Sequence, residues 1–269
     1  MRPAGASRGQ SDIPPMTAIV VTLTSDRAWL TADGAFAGCP LSIWAQGQFE
    51  EAARRYGHLS LPSFASRGAG RKLMAFSEAR MALATTGTAA AACCLGAEAS
   101  MMTDIDALAA ALPDIWRSIP AAGRNSGAAI IAVGWNERSG RAIGFSASAV
   151  EGMVARPMED GSCWTPDPCE DVPGAADIRR LLDADDVEAL HFAVVTAQAW
   201  GARRGRYGVA GICIGGDITM ASVDASGITL KRIGHIQIPE EMRASTTIGA
   251  IHGVGRPEEA DLLRGLGFR

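Results

Sequence analysis

Only three polar residues, Ser25-Asp26-Arg27, separate two strand-like runs at 17–24 and 28–33. Parallel neighbours need a crossover of a dozen or more residues, so strands joined across three must pair antiparallel. The pattern returns along the chain. Lys72-Leu-Met-Ala-Phe-Ser77 turns through Ser77-Glu-Ala-Arg80 into Met81-Ala-Leu-Ala-Thr85, and the apolar run 128–135 turns through 136–140 into a strand from Arg141. Near the end, Val209–Ile214, Ile218–Val223 and Ile228–Ile233 read as a three-strand meander, with Gly215-Gly216-Asp217 and 224–227 as its turns.

Helices fall between these hairpins. Ala89–Leu95 is nearly all small residues, and Asp104–Ser118 sets Ile105, Leu108, Leu112, Ile115 and Trp116 on one face. Asp183 or Asp185 is placed to cap a helix running to about Arg204, with Leu190, Val194, Ala197 and Trp200 along its inner stripe. A last helix is predicted from Pro257, whose first turn carries Glu258 and Glu259. This order predicts an α+β fold: two antiparallel sheets face to face, flanked by helices in four layers, αββα. An open parallel sheet would instead alternate strand and helix one by one.

At 269 residues and 48% hydrophobic content, the chain can bury a core as one domain, predicted over 16–269. Residues 1–15 are rich in Arg, Pro and Gly, so they read as a disordered extension or a propeptide. Residues 34–71 carry repeated Gly and Pro and read as an inserted surface segment. Net charge is −4 with scattered arginines, which argues against nucleic acid or an acidic membrane surface as partner. Six cysteines occur without zinc-finger spacing, so a reduced, cytoplasmic protein holding no metal or cofactor is the expectation.

Thr17 follows Met16, and methionine before a small residue is normally trimmed. Trimming would free an α-amine, with pKa about 7.7–8.0, able to take the proton of the same residue's hydroxyl. The plain alternative is an ordinary strand behind a disordered tail.

The quoted segments resemble the N-terminal-nucleophile hydrolases of the proteasome β-subunit type over most of residues 16–233. Three pieces carry the likeness: Met16-Thr-Ala-Ile-Val-Val with Trp29-Leu-Thr-Ala-Asp33, then Arg71-Lys-Leu-Met-Ala-Phe-Ser77, then Ala82-Leu-Ala-Thr-Thr-Gly-Thr88. The run Ile130-Ile-Ala-Val-Gly-Trp135 and its return through Phe145 are similar too.

The resemblance implies that Thr17 is the nucleophile, that Asp33, sixteen residues on, ends the second strand beside it, and that Lys72 opens the third strand facing both. Such types suit the chemistry, since a cation favours loss of the hydroxyl proton while an aspartate offsets the cost of burying that cation. Gly87 matches the glycine whose N–H helps hold the oxyanion, a role worth about 3–4 kcal/mol where one such donor has been removed from a protease. Ser162, in Asp160-Gly-Ser-Cys-Trp164, stands where the family has a supporting serine. Taken singly, Asp33-Gly34 is also a common turn dipeptide, Lys72 a solvated strand end and Gly87 a helix-entry glycine.

Two departures bear on activity. The stretch from Asp33 to Lys72 is longer than the family's loop, and Trp200-Gly-Ala-Arg-Arg-Gly205 occupies the place of a later aspartate. The resemblance thus leaves three functions open. The first is a threonine-type endopeptidase acting on peptides or unfolded proteins in a homo-oligomeric ring, with an ATP-dependent unfoldase as a partner that some relatives lack. The second is a catalytically inactive structural or assembly protein on the same fold, and the third a small-amide amidase. A Ser or Cys nucleophile activated by one of the widely spaced His58, His191, His235 and His252 is a further alternative.

Overall fold

The computed structural model describes residues 18–34, 73–86, 95–96, 98–119, 128–160, 163–164, 186–203 and 214–237. Of the helix predicted at 89–95 only Leu95 is described, and it is helical; the rest of that helix, the helix from Pro257, the segment 34–71 beyond Gly34 and the extension 1–15 lie outside these residues. Within them the fold is mixed α and β, with two antiparallel five-stranded sheets.

One sheet is built on the opening hairpin, β1 (Ile19–Leu23) and β2 (Arg27–Asp33), whose register runs from Leu23 opposite Ala28 to Ile19 opposite Ala32. The turn is closed by Thr24, whose N–H donates to Arg27 O at 2.9 Å and whose hydroxyl donates to Asp26 Oδ1 at 2.7 Å. The other sheet begins with β3 (Leu73–Phe76) and β4 (Met81–Thr86), joined where Arg80 takes a left-handed φ of 44°. It continues through β5 (Ala129–Asn136), β6 (Arg141–Ser148) and the short β7 (Arg156–Pro157), in the order β3-β4-β5-β6-β7.

Two segments depart from expectation. With three prolines and two cysteines the stretch 159–174 reads as loop from its sequence, yet Cys163–Trp164 forms β8 and pairs with β1, Thr22 opposite Cys163. Ladder hydrogen bonds at a sheet edge overrode a turn-like composition. Similarly, Gly216 and Asp217 are not a turn but the first residues of β9 (Gly216–Asp224), which pairs with both β2 and β10 (Gly227–Ile236). Gly216 enters that strand at a φ of +73°, open to glycine at no steric cost. The first sheet therefore runs β10-β9-β2-β1-β8. Ile214 lies outside any strand, and the rest of the run expected at 209–214 is beyond the described residues.

Alternation along the strands sorts the core. Ile19, Val21, Leu23, Ala28, Leu30 and Ala32 of the first sheet share a cluster with Leu73, Ala82, Ala84, Ile131 and Val133 of the second. Each sheet also packs against a helix. The helix α1 (Ile105–Ser118) joins Ile105, Leu108 and Leu112 to Met81, Leu83 and Ile130, its first turn capped by Asp104 Oδ1 accepting from Ala107 N at 2.7 Å. The helix α2 (Val187–Arg203) joins Leu190, Val194, Val195 and Ala199 to Ala18, Val20 and Ile218. Its cap is Asp186, neither of the two aspartates expected from sequence: Asp186 Oδ1 accepts from Ala189 N at 3.1 Å.

Candidate functional site

Of the five residues singled out by sequence, Asp33 is described, while Thr17, Lys72, Gly87 and Ser162 lie outside the described residues. The chain neighbours of those four are described. Ala18 follows Thr17 and precedes β1; Leu73 follows Lys72 and opens β3; Thr86 precedes Gly87 and ends β4; Cys163 follows Ser162 in β8.

Asp33 closes β2 and is 2% exposed. Its Oδ1 accepts the backbone N–H of Ala18 at 2.9 Å, and its Oδ2 accepts the N–H of Gly215 at 3.1 Å. The backbone N–H of Asp33 in turn donates to Ala18 O at 3.2 Å, which extends the β1–β2 ladder by one pair. A buried carboxylate is costly unless its lone pairs are met, and hydrogen bonds to a charged group contribute about 1.5–3 kcal/mol each. The two amides therefore hold the acid at the strand end and aim it at the peptide unit that joins Thr17 to Ala18.

Gly34 makes this close approach feasible. Gly34 donates to Gly215 O at 3.1 Å, and a Cβ on Gly34 would stand 2.8 Å from the carbonyl oxygen of Asp217. A side chain there would push β2 from β9 at the residue beside the acid. The part played by Gly215 escaped sequence reasoning, because a Gly-Gly-Asp run signals a turn. The available signal was that paired glycines also mark places where backbones touch.

The other neighbours sit at defined places. Leu73 belongs to the core between the sheets together with Ile19 and Ala32, and β3 packs against β2 and β9. Thr86 is buried at the end of β4, its hydroxyl accepting from Ala129 N at 3.1 Å. Cys163 opposes Thr22, four residues along β1 from Ala18, or about 13 Å at the usual strand rise. The described neighbour of Ser162 thus stands toward the far end of β1 from Asp33.

An exposed cluster lies one residue beyond Asp33 at the same end of the sheet. Asp33 opposes Ile218, and the adjacent Asp217 opposes His235 on β10. Asp217 Oδ1 meets His235 Nδ1 at 2.8 Å and Arg232 Nη2 at 3.1 Å. The hydrogen bond with His235, and then the charge of Arg232, hold the Asp217 carboxyl below the usual carboxylate range.

Under α2 lies a buried polar contact that sequence left unassigned. His191 is fully buried, with Nε2 2.9 Å from Thr22 Oγ1 and Nδ1 2.7 Å from Thr31 Oγ1. Loss of water around the ring pushes its pKa down to about 3, so the imidazole is neutral and one nitrogen donates while the other accepts.

Among the described residues no group of three His, Cys, Asp or Glu side chains is placed to hold a metal ion, and no helix is long and apolar enough to cross a membrane. No protein-family model matches the chain, and no curated protein matches it.

Proposed function

We propose that the chain is an N-terminal-nucleophile hydrolase of the proteasome β-subunit type, a threonine-type endopeptidase that cleaves amide bonds through Thr17 once residues 1–16 are gone. The observation that carries this reading is the 2.9 Å hydrogen bond from the Ala18 amide to Asp33 Oδ1. A buried carboxylate held one peptide unit from Thr17 is placed to bias charge around a new α-amine, and Lys72 would supply the cation between acid and hydroxyl. The two antiparallel sheets, with one helix against each, support the four-layer αββα arrangement that such enzymes share.

In this reading the α-amine of Thr17 takes the hydroxyl proton and Oγ attacks the substrate carbonyl. The Gly87 N–H stabilises the oxyanion, the substrate C–N bond breaks as the α-ammonium of Thr17 gives its proton to the departing substrate amine, and water then hydrolyses the ester with the freed α-amine as base. Confinement of the site in a homo-oligomeric ring would restrict substrates to peptides and unfolded chains, with an ATP-dependent unfoldase as a further partner.

Intact mass and covalent labelling test the proposal together. A mass beginning at Thr17, with labelling by an electrophile selective for N-terminal threonine that Thr17→Ala abolishes and Ser162→Ala keeps, is the expected result. Purified protein that retains residues 1–16 and stays unlabelled would instead mark an inactive assembly module, since a blocked amine cannot serve as base.

A further inference from the structure

Alternation along the opening hairpin decides which side chains share a face. Ile19, Val21, Leu23, Ala28, Leu30 and Ala32 belong to the core between the sheets, whereas Ala18 and Val20 pack with α2. Thr22 of β1, and Thr31 and Asp33 of β2, therefore face α2 as well. Thr31 and Asp33 are successive side chains on that face, two strand residues or about 7 Å apart. His191 reaches both strands at once, Thr22 through Nε2 and Thr31 through Nδ1.

We propose that His191 is a positioning residue: by holding Thr22 and Thr31 together it locks β1 to β2 beneath α2, and so keeps the Ala18 amide on the Asp33 carboxylate. The apolar contacts between α2 and the sheet, through Leu190, Val194 and Val195, are non-directional and tolerate sliding. Two hydrogen bonds from one rigid ring do not tolerate it, because a shift of either strand leaves a nitrogen or a hydroxyl unpaired in the interior. Asp33, which accepts the 2.9 Å bond from Ala18, lies two residues along β2 from Thr31, so the bond between His191 and Thr31 acts close to that contact. For catalysis this rests on Thr17 being the nucleophile; for the geometry of Ala18 and Asp33 it does not.

The test is amide hydrogen exchange on the full-length chain, in wild type, Thr31→Val and His191→Leu, with His191→Gln as the variant that keeps one donor and one acceptor. Thr31→Val preserves shape, so it reports even where His191→Leu fails to fold. In Thr31→Val and His191→Leu, exchange at Ala18 and Gly215 should rise about tenfold, the effect of losing one such hydrogen bond, while Ile131 and Val133 in the second sheet stay unchanged. His191→Gln should restore part of the protection. In an active preparation the labelling rate constant at Thr17 should fall with unchanged affinity for the electrophile. Equal acceleration in both sheets, or none at Ala18, would overturn the proposal. A wild type that takes no label would refute the peptidase reading, and the exchange data would still decide the role of His191.

Discussion

Asp33 Oδ1 accepts the backbone N–H of Ala18 at 2.9 Å, so the acid that ends β2 is anchored to the first described residue of the chain. The bond joins two strand ends fifteen residues apart, and the N–H of Gly215 completes it from a third segment.

Asp33→Asn tests that anchor. An amide keeps one acceptor but turns an N–H₂ toward the other backbone donor, leaving buried groups without partners at a cost of about 1–3 kcal/mol. Urea unfolding should show the loss, and labelling of Thr17 should fall with it. Unchanged stability would mean that the two amides are satisfied without the carboxylate.

Gly34→Ala tests the close approach of β2 and β9. The new methyl would stand 2.8 Å from Asp217 O, a backbone atom that cannot swing aside. Overpacking of this kind costs about 1–3 kcal/mol. Faster exchange at Gly215 is the companion signal, and a variant as stable as wild type would show that the strand ends yield freely.

Acid should destabilise the protein through His191. Burial pushes its folded pKa from 6.5 to about 3, so between those values the unfolded chain binds a proton that the folded chain refuses. The contribution is fully present above pH 6.5 and is lost as pH falls toward 3, with a slope of at most about 1.4 kcal/mol per pH unit. Comparing urea midpoints at pH 7 and pH 5 in wild type and His191→Leu isolates it. An identical pH dependence in the two would contradict a neutral, buried ring.

Core and surface leucines should separate cleanly. Leu30→Ala, at a fully buried position between the sheets, should cost about 2–5 kcal/mol, whereas Leu230→Ala, 49% exposed on β10, should stay within about 0.5 kcal/mol. Chemical denaturation of both variants checks the pair. Similar losses would place Leu230 under cover in solution.

Hairpins and helix faces were legible from composition and period, because both depend on neighbours in the chain. Ser25-Asp26-Arg27 marked the first reversal to within one residue, and the apolar face of α1 consists of the five residues its spacing picks out. Turn chemistry misled where a distant strand supplied hydrogen bonds. Gly216 and Asp217 became strand because Ile236 and His235 pair with them, and Cys163 and Trp164 because β1 offered an edge.

By itself the sequence determined that the strands pair antiparallel and which side chains turn inward, since short connections and alternation are local consequences of covalent geometry. Tertiary structure alone decided that Gly215, 182 residues from Asp33, donates to its carboxylate, and that His191 bridges Thr22 and Thr31. No local pattern encodes such contacts, because each depends on where packing of the whole sheet and α2 brings remote backbone and side-chain groups within hydrogen-bond reach.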